Sequence, residues 1–180
     1  MYNQLITDFS DTLQETSRYT VDGGGCMSSI QDHVVNFDRF KNFVVRELSQ
    51  RGLAITKSPK SCDALYKNNN NWLLIEFKNG QIDDKKVHEI RGKIFESLLL
   101  LTEKLGETIT FTRNYMIFVL VYNNQVNHSA KRIKLGDTFR GLSGNKFFPF
   151  GLEGLENLYF KKLLVCDIPD FENRFNSHHW

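Results

Sequence analysis

The chain has 180 residues, of which 41% are hydrophobic and 24% are charged; this is the composition of a globular domain rather than of a disordered or collagen-like chain. Its 23 basic and 21 acidic residues give a formal net charge of +2, so the chain as a whole lacks the strong positive charge typical of many nucleic-acid-binding domains. No apolar run approaches the ~20 residues that span a bilayer, so we expect no membrane segment.

The cysteines and the first residues bear on the location of the protein. Cys26, Cys62 and Cys166 are widely spaced and include no C-x-x-C pair, so neither a disulfide scaffold nor a zinc ribbon is indicated. The first ten residues contain no basic region followed by an apolar block, so we expect no secretory signal. These features predict a reduced, cytoplasmic protein.

The first part of the chain is predicted to be polar and then helical. Residues 1–25 form an expected N-terminal extension, with a short helix over Thr7–Arg18. Apolar residues three and four apart predict an amphipathic helix over Phe37–Gln50, for which Asn36 is the predicted N-cap. A short strand over Leu53–Thr56 is expected after this helix.

Two further strands are predicted over Cys62–Lys67 and Trp72–Lys78. Four asparagines, at positions 68–71, separate them. Because asparagine tolerates the left-handed backbone of tight turns, we expect the two strands to form a hairpin.

The second half of the chain begins with the longest helical pattern, over Lys85–Leu105, which Gly106 ends. Residues 115–122 are continuously apolar, which predicts a central strand buried on both faces and paired in parallel. Residues 123–150 are polar, basic and glycine-rich, and we expect a loop or insertion there. The remaining predicted elements are a short helix over 152–159, a strand over 161–167 and a C-terminal tail over 169–180. The sequence therefore predicts one domain over residues 26–168, with its core at 36–122.

The strand that ends at Lys78 carries charges on an otherwise apolar face. Because alternate residues of a strand face the same side, Glu76 and Lys78 point the same way as Trp72 and Leu74. If the asparagine turn contains two or four residues, Asp63 lies directly opposite Glu76, with Cβ atoms ~4.5–5.5 Å apart. An odd-length turn would place the two carboxylates on opposite faces.

Two carboxylates so close repel each other unless a proton or a cation lies between them. A hard divalent cation such as Mg²⁺ binds carboxylate oxygens together with waters and substrate phosphate. Lys78 would then orient or deprotonate an attacking water, or neutralise charge on a phosphate. The alternative interpretation is a same-face salt bridge between Glu76 and Lys78, with Asp63 on an exposed edge.

The chain has Asp63 before a hairpin and Glu76-Phe77-Lys78 at the end of an apolar strand. A long helix and then a buried strand follow. This order resembles the PD-(D/E)xK, restriction-endonuclease-like nuclease superfamily over residues 36–122. The resemblance implies an α/β fold whose core is a helix, a three-strand antiparallel meander, a helix and a parallel strand, with helices on both faces of a mixed sheet. The chain departs from the motif at Pro59, which lies four residues before the aspartate instead of immediately before it.

The resemblance also implies roles for the motif residues. Asp63 and Glu76 would bind Mg²⁺ or Mn²⁺ together with the backbone carbonyl of Phe77, and Lys78 would assist the attacking water. Some members of the superfamily add a carboxylate from the first helix. Glu47 is the candidate here, and a solvated helix residue is the alternative interpretation.

The helix that follows Lys78 offers two candidate substrate-binding residues. Arg91 and Lys93 would contact phosphate, or else they lie on a solvated helix face. The motif as a whole implies a Mg²⁺-dependent nuclease of the nucleic-acid phosphodiester backbone, with DNA favoured over RNA as partner. Such a protein would act as a homodimer to cut both strands.

Two other interpretations stay open. The first is a catalytically degenerate protein of the same fold that binds nucleic acid, or that inhibits a protein partner as an immunity-type module does. The near-neutral net charge of +2 favours it, since nuclease affinity depends on Lys and Arg. The second is an α+β interaction domain unrelated to nucleases.

Overall fold

A computed structural model describes residues 2–21, 23–127 and 149–180 of the chain. The helices are α1 (Tyr2–Phe9), α2 (Leu13–Thr16), α3 (Phe37–Gln50), α4 (Asp84–Leu105), α5 (Ile109–Tyr115) and α6 (Ile168–Ser177), and short 3₁₀ turns lie at Pro149–Gly151 and Glu153–Leu155. The strands are β1 (Ser10–Thr12), β2 (Arg18–Tyr19), β3 (Gly25–Cys26), β4 (His33–Asn36), β5 (Ala64–Asn68), β6 (Asn71–Lys78), β7 (Met116–Tyr122) and β8 (Lys162–Asp167).

Six of the strands form one mixed sheet in the order β1-β4-β5-β6-β7-β8, and β2 and β3 form a separate hairpin. In the series β1, β4, β5 and β6, each strand is antiparallel to its neighbour, whereas β6, β7 and β8 are parallel. The crossover from β6 to β7 runs through α4, as a parallel pair requires. The α/β class expected from the sequence is therefore confirmed.

Helices cover both faces of this sheet. On one face, α1, α3 and α4 pack buried side chains such as Leu5, Phe40 and Ile94 against the sheet. On the other face, α6 packs Phe171 and Phe175. All seven residues of β7 are buried, because a central parallel strand is covered from both sides. This explains the uninterrupted apolar run over 116–122, whereas Tyr115, predicted as part of the strand, ends α5 and is 46% exposed.

The caps of the two long helices agree with the sequence. The Asn36 side chain accepts a hydrogen bond from the Arg39 backbone N–H at 3.0 Å and so begins α3. Gly106 ends α4 in the left-handed conformation, with φ of 64°. Helix α4 spans Asp84–Leu105, one residue longer than predicted. This helix is the element that carries side chains over the end of β6.

The predicted strand over Leu53–Thr56 is wrong. These residues form no strand, and Leu53 is 51% exposed. The third strand of the antiparallel meander is β4, which lies before α3 in the chain and pairs Val35 with Leu65 of β5. Strand β4 buries both of its valines completely, Val35 in the core on one face of the sheet and Val34 in the core on the other. Helix α3 therefore connects two strands of the meander instead of preceding all three.

The two ends of the chain belong to the fold. Within the expected extension at 1–25, α1 packs on the core and β1 pairs with β4, and the helix predicted over Thr7–Arg18 is interrupted because Ser10–Thr12 is extended. Within the expected tail at 169–180, α6 buries aromatic side chains on the sheet. The expected short helix over 152–159 is reduced to one 3₁₀ turn.

The predicted loop at 123–150 is described only in part. Asn123 to Asn127 follow β7 as a turn, whereas residues 128–148 lie outside the described residues. Among the helices that the structure describes, none is long and apolar enough to cross a membrane. No disulfide joins the cysteines at positions 26, 62 and 166, all of which lie within the described residues, and Cys62 and Cys166 are buried.

Candidate functional site

The hairpin between β5 and β6 has the register that the sequence predicted for an even-length turn. Ala64 pairs with Ile75, and Asn68 pairs with Asn71. The turn is therefore the two-residue segment Asn69–Asn70, and Asn69 adopts the left-handed conformation with φ of 53°. This register directs the residue before Ala64 toward Glu76.

Asp63 lies one residue before β5 and joins the sheet through its side chain. Its backbone N–H donates to the carbonyl of Ile75 at 3.0 Å. Its carboxylate Oδ2 accepts a hydrogen bond from the backbone N–H of Phe77 at 2.7 Å. The carboxylate thus takes the place of a backbone acceptor, which fixes it beside the end of β6.

Glu76 is fully buried, with 0% of its surface exposed. Lys78, two residues along the same face of β6, forms an ion pair with its Oε1. Lys93 reaches in from α4, and its Nζ lies 2.8 and 3.0 Å from the two oxygens of Glu76. The same Nζ lies 3.2 Å from Oδ1 of Asp63. Lys93 therefore bridges the two carboxylates.

Burial dominates the electrostatics of this cluster. Burial, followed by the charge of Asp63, raises the pKa of Glu76 from 4.5 to about 7, although Lys93 and Lys78 oppose the rise. For Lys93, burial acts to lower the pKa, but the charges of Asp63 and Glu76 outweigh it, so the pKa is raised above its ordinary value. Lys93 is consequently a firmly charged cation at neutral pH.

The backbone of β6 places a further oxygen near Asp63. The carbonyl of Lys78 accepts a hydrogen bond from Asn123 on the β7 side of the strand. Because successive carbonyls of a strand point to alternate sides, the carbonyl of Phe77 points toward the Asp63 side. The Phe77 N–H points the same way, as its bond to Asp63 shows. The oxygen that the sequence nominated as a ligand therefore lies on the correct side of the strand.

This set of oxygens fits a small hard cation. One atom, Lys93 Nζ, lies within 3.2 Å of both carboxylates, so the two groups converge on one cationic centre. Mg²⁺ sites commonly use only one or two carboxylates, with waters and substrate phosphate completing the shell. No group of three or more His, Cys, Asp and Glu side chains arranged for a metal occurs within 2–21, 23–127 and 149–180. A cation held here would rest on Asp63, Glu76 and the Phe77 carbonyl, with Lys93 moved aside.

Two predicted site residues lie elsewhere. Glu47 pairs with Lys104 at 2.6 Å. Lys104 is eleven residues after Lys93 on α4, about 16 Å along the helix axis, so the structure does not bring Glu47 to the carboxylate pair. The guanidinium of Arg91 donates to the carbonyl of Gly151, which ties it to the turn at 149–151. Lys93, by contrast, lies inside the site and not on a solvated face.

Sequence reasoning missed the polar contacts that hold the segment before Asp63. Ser97 Oγ accepts the backbone N–H of Cys62 at 2.9 Å, and the Glu96 carboxylate accepts that of Lys60. With Lys93, these residues stand at positions i, i+3 and i+4 and so share one face of α4. This spacing is the signal from which the sequence could have predicted these contacts. Three polar residues on the helix face that also buries Ile94 and Ile90 indicate a polar site.

On α3, the acidic residue that contacts the segment leading to Asp63 is Asp38 rather than Glu47. Asp38 stands in the first turn of α3, and its carboxylate accepts a hydrogen bond from Ser61, two residues before Asp63. Burial raises the pKa of Asp38, but hydrogen bonds from Lys41 and Ser61 outweigh burial and lower it overall. Asp38 is therefore an ionised hydrogen-bond acceptor that holds the segment just before β5.

A cleft of about 430 Å³ opens beside the cluster. Lys78, whose ammonium contacts Glu76, is one of the residues that line this cleft. The described residues that line it combine three amides, two aromatic rings, two lysines, two exposed valines and a glycine: Tyr19, Val21, Phe77, Lys78, Asn79, Gly80, Gln81, Lys86, Asn123 and Val126.

Comparisons of the chain with protein-family models, with curated proteins and with solved structures found no match. The resemblance to the PD-(D/E)xK superfamily therefore rests on the residues of this chain and their arrangement.

Proposed function

We propose that the protein is a Mg²⁺-dependent nuclease that hydrolyses phosphodiester bonds of nucleic acid, with Mn²⁺ as an alternative metal. The observation that carries the proposal is the convergence of Asp63 and Glu76 on one cationic centre, with Lys78 in contact with Glu76 and on the wall of a cleft. Phosphodiester hydrolysis needs charge neutralisation and a positioned water, and this set of groups supplies both.

The topology supports the same proposal. The antiparallel strands β4, β5 and β6, the helix α4 and the parallel strand β7 form a mixed sheet with helices on both faces. This order resembles the restriction-endonuclease-like arrangement that the motif implies, except that α3 lies between β4 and β5, and the resemblance supports the proposal. The motif residues occupy the end of β6, where Lys78 meets the cleft.

The chain's own residues would divide the work as follows. Asp63, Glu76 and the Phe77 carbonyl would hold the metal, which when bound supplies positive charge and lowers the pKa of a coordinated water. Lys78 would stabilise negative charge that develops on the phosphate. Lys86 and the amides of the cleft contact the nucleic acid beside the scissile bond. We propose DNA as the preferred substrate, and a homodimer for cutting both strands.

A second candidate function is favoured by Lys93. Its ammonium already satisfies both carboxylates, so the four charged groups Asp63, Glu76, Lys78 and Lys93 are neutral together without a metal. A protein with a permanently closed site of this kind would bind nucleic acid, or inhibit a protein partner, without cleavage. Metal binding separates the two candidates.

We predict that Asp63→Ala abolishes both metal binding and cleavage. Removal of this carboxylate leaves Glu76 as the only acidic side chain of the proposed metal site, and one carboxylate with a carbonyl holds a divalent cation weakly. The measurement is calorimetric titration with Mn²⁺ of the wild-type protein and the variant. The same proteins are then incubated with plasmid, single-stranded DNA and RNA in Mg²⁺.

Glu47→Ala is the matched control, because it also removes a carboxylate paired with a lysine of α4, but outside the cluster. It is expected to bind Mn²⁺ and cleave like the wild type. A wild-type protein that binds no metal and cuts none of the three substrates would overturn the nuclease proposal and leave the second candidate.

A further inference from the structure

Lys93 occupies the position that a bound cation would need. Its Nζ lies 2.8 and 3.0 Å from the Glu76 oxygens and 3.2 Å from Oδ1 of Asp63. A metal bonded to the same carboxylates would lie about 2.1 Å from their oxygens. Two cations cannot both lie so near the same oxygens, since their mutual repulsion in a buried site is large. Metal binding and the contacts of Lys93 therefore exclude each other.

The ammonium of Lys93 can leave the carboxylates more easily than that of Lys78. Lys78 stands on β6, its side chain is 17% exposed, and among the described residues its ion pair is with Glu76. Lys93 stands on α4, its side chain is 24% exposed, and its four-carbon stem is flexible. The ammonium can thus turn outward without a movement of the backbone.

We propose that Lys93 is a displaceable internal cation: it holds Asp63 and Glu76 together in the metal-free protein, and it moves to a substrate phosphate when a metal binds. This inference rests on the proposed nuclease function. In the absence of nucleic acid, the metal has to break three contacts of Lys93. The affinity of the protein for the metal is therefore low. A phosphate gives the displaced ammonium a new partner, so nucleic acid and metal bind cooperatively, each increasing the affinity for the other equally.

The test compares Mn²⁺ affinity in the wild-type protein, Lys93→Met and Lys104→Met, by calorimetry on EDTA-treated full-length protein. Methionine keeps most of the length of lysine and removes its charge. Lys104 is the matched control, since it stands on the same helix, pairs with one carboxylate at 2.6 Å and is 31% exposed. Lys93→Met is expected to bind Mn²⁺ about 10- to 100-fold more tightly than the wild type without nucleic acid, whereas Lys104→Met matches the wild type.

The second arm repeats the titrations with a phosphorothioate-linked DNA duplex that resists cleavage. The duplex is expected to tighten Mn²⁺ binding about tenfold in the wild type and much less in Lys93→Met, because the variant has no ammonium to transfer. Lys93→Gln is a second, polar variant for use if the methionine variant fails to fold. The rise in melting temperature on Mn²⁺ addition gives an independent readout, which should be larger in either Lys93 variant than in the wild type.

The outcomes separate this inference from the proposed function. Tighter Mn²⁺ binding in the Lys93 variants than in the wild type supports the inference. Mn²⁺ binding in the variants alone also supports the inference, and it favours the non-cleaving candidate. Equal or weaker binding in folded Lys93 variants, with a wild type that binds Mn²⁺, overturns the inference and leaves the nuclease proposal standing. Absence of binding in the folded wild type and variants overturns both.

Discussion

Replacing Lys78 with methionine is expected to slow phosphodiester cleavage about 10²- to 10⁴-fold while Mn²⁺ binding persists, the range typical for loss of one positioned catalytic group. Lys78 contacts Glu76 and lies on the wall of the cleft, but contributes no oxygen to the carboxylate pair. The variant remains folded, because Lys93 still compensates the buried charge of Glu76. The loss is expected in kcat.

The measurement is single-turnover cleavage of a labelled duplex at saturating Mg²⁺, with a parallel Mn²⁺ titration. Lys86→Met is the matched control, since Lys86 lines the same cleft but pairs with Glu89 rather than Glu76. That variant is expected to weaken substrate binding and leave the rate at saturation near the wild-type value. Wild-type cleavage rates in Lys78→Met would show that Lys78 has no part in the chemistry.

The wild-type protein is expected to become less stable as the pH rises from about 4.5 to about 7. Replacing Glu76 with glutamine is expected to abolish this decrease. Burial and the charge of Asp63 raise the pKa of Glu76 from 4.5 to about 7 in the folded state. In this pH range the folded state holds the Glu76 proton and the unfolded state has released it, so folding binds a proton and becomes less favourable as pH rises. A pKa rise of this size corresponds to about 3 kcal/mol.

The prediction is checked by urea unfolding in metal-free buffer at pH 5 and pH 8. The free energy of unfolding of Glu76→Gln, relative to the wild type, should increase by about 3 kcal/mol between these two pH values. Lys93 does not contribute to the difference, since its raised pKa affects stability only at alkaline pH. Glu47→Gln, at a partly exposed carboxylate, should follow the wild type. An unchanged difference for Glu76→Gln would mean that Glu76 is ionised as easily in the folded chain as in the unfolded one.

Local geometry explains why the centre of the candidate site could be predicted. A run of four asparagines predicted a tight turn but left open whether its length is even or odd. The two-residue turn in the structure fixes the register of β5 against β6. Strand alternation then placed Glu76 and Lys78 on one face. Asp63, Glu76 and Lys78 lie within sixteen residues of one another, so short-range rules bring them together once the turn is known to have an even length.

The rest depended on long-range packing. Lys93 and Arg91 are two residues apart on α4, and only the way in which α4 covers β6 determines that one enters the site and the other contacts the turn at 149–151. Glu47 fits the pattern of a helix acid, but it stands at the far end of α3, beside Lys104. Strand β4 has only four residues, and its pairing with β5 is not specified by any local signal.

The measurement that tests the central claim most directly is the anomalous diffraction of a crystal soaked in MnCl₂. The proposed function predicts one Mn²⁺ peak bonded to carboxylate oxygens of both Asp63 and Glu76, at about 2.2 Å from each, with the ammonium of Lys93 withdrawn from them. A map with no Mn²⁺ between these residues, and with Lys93 still bridging Asp63 and Glu76, would contradict the claim that they form a metal-dependent catalytic site.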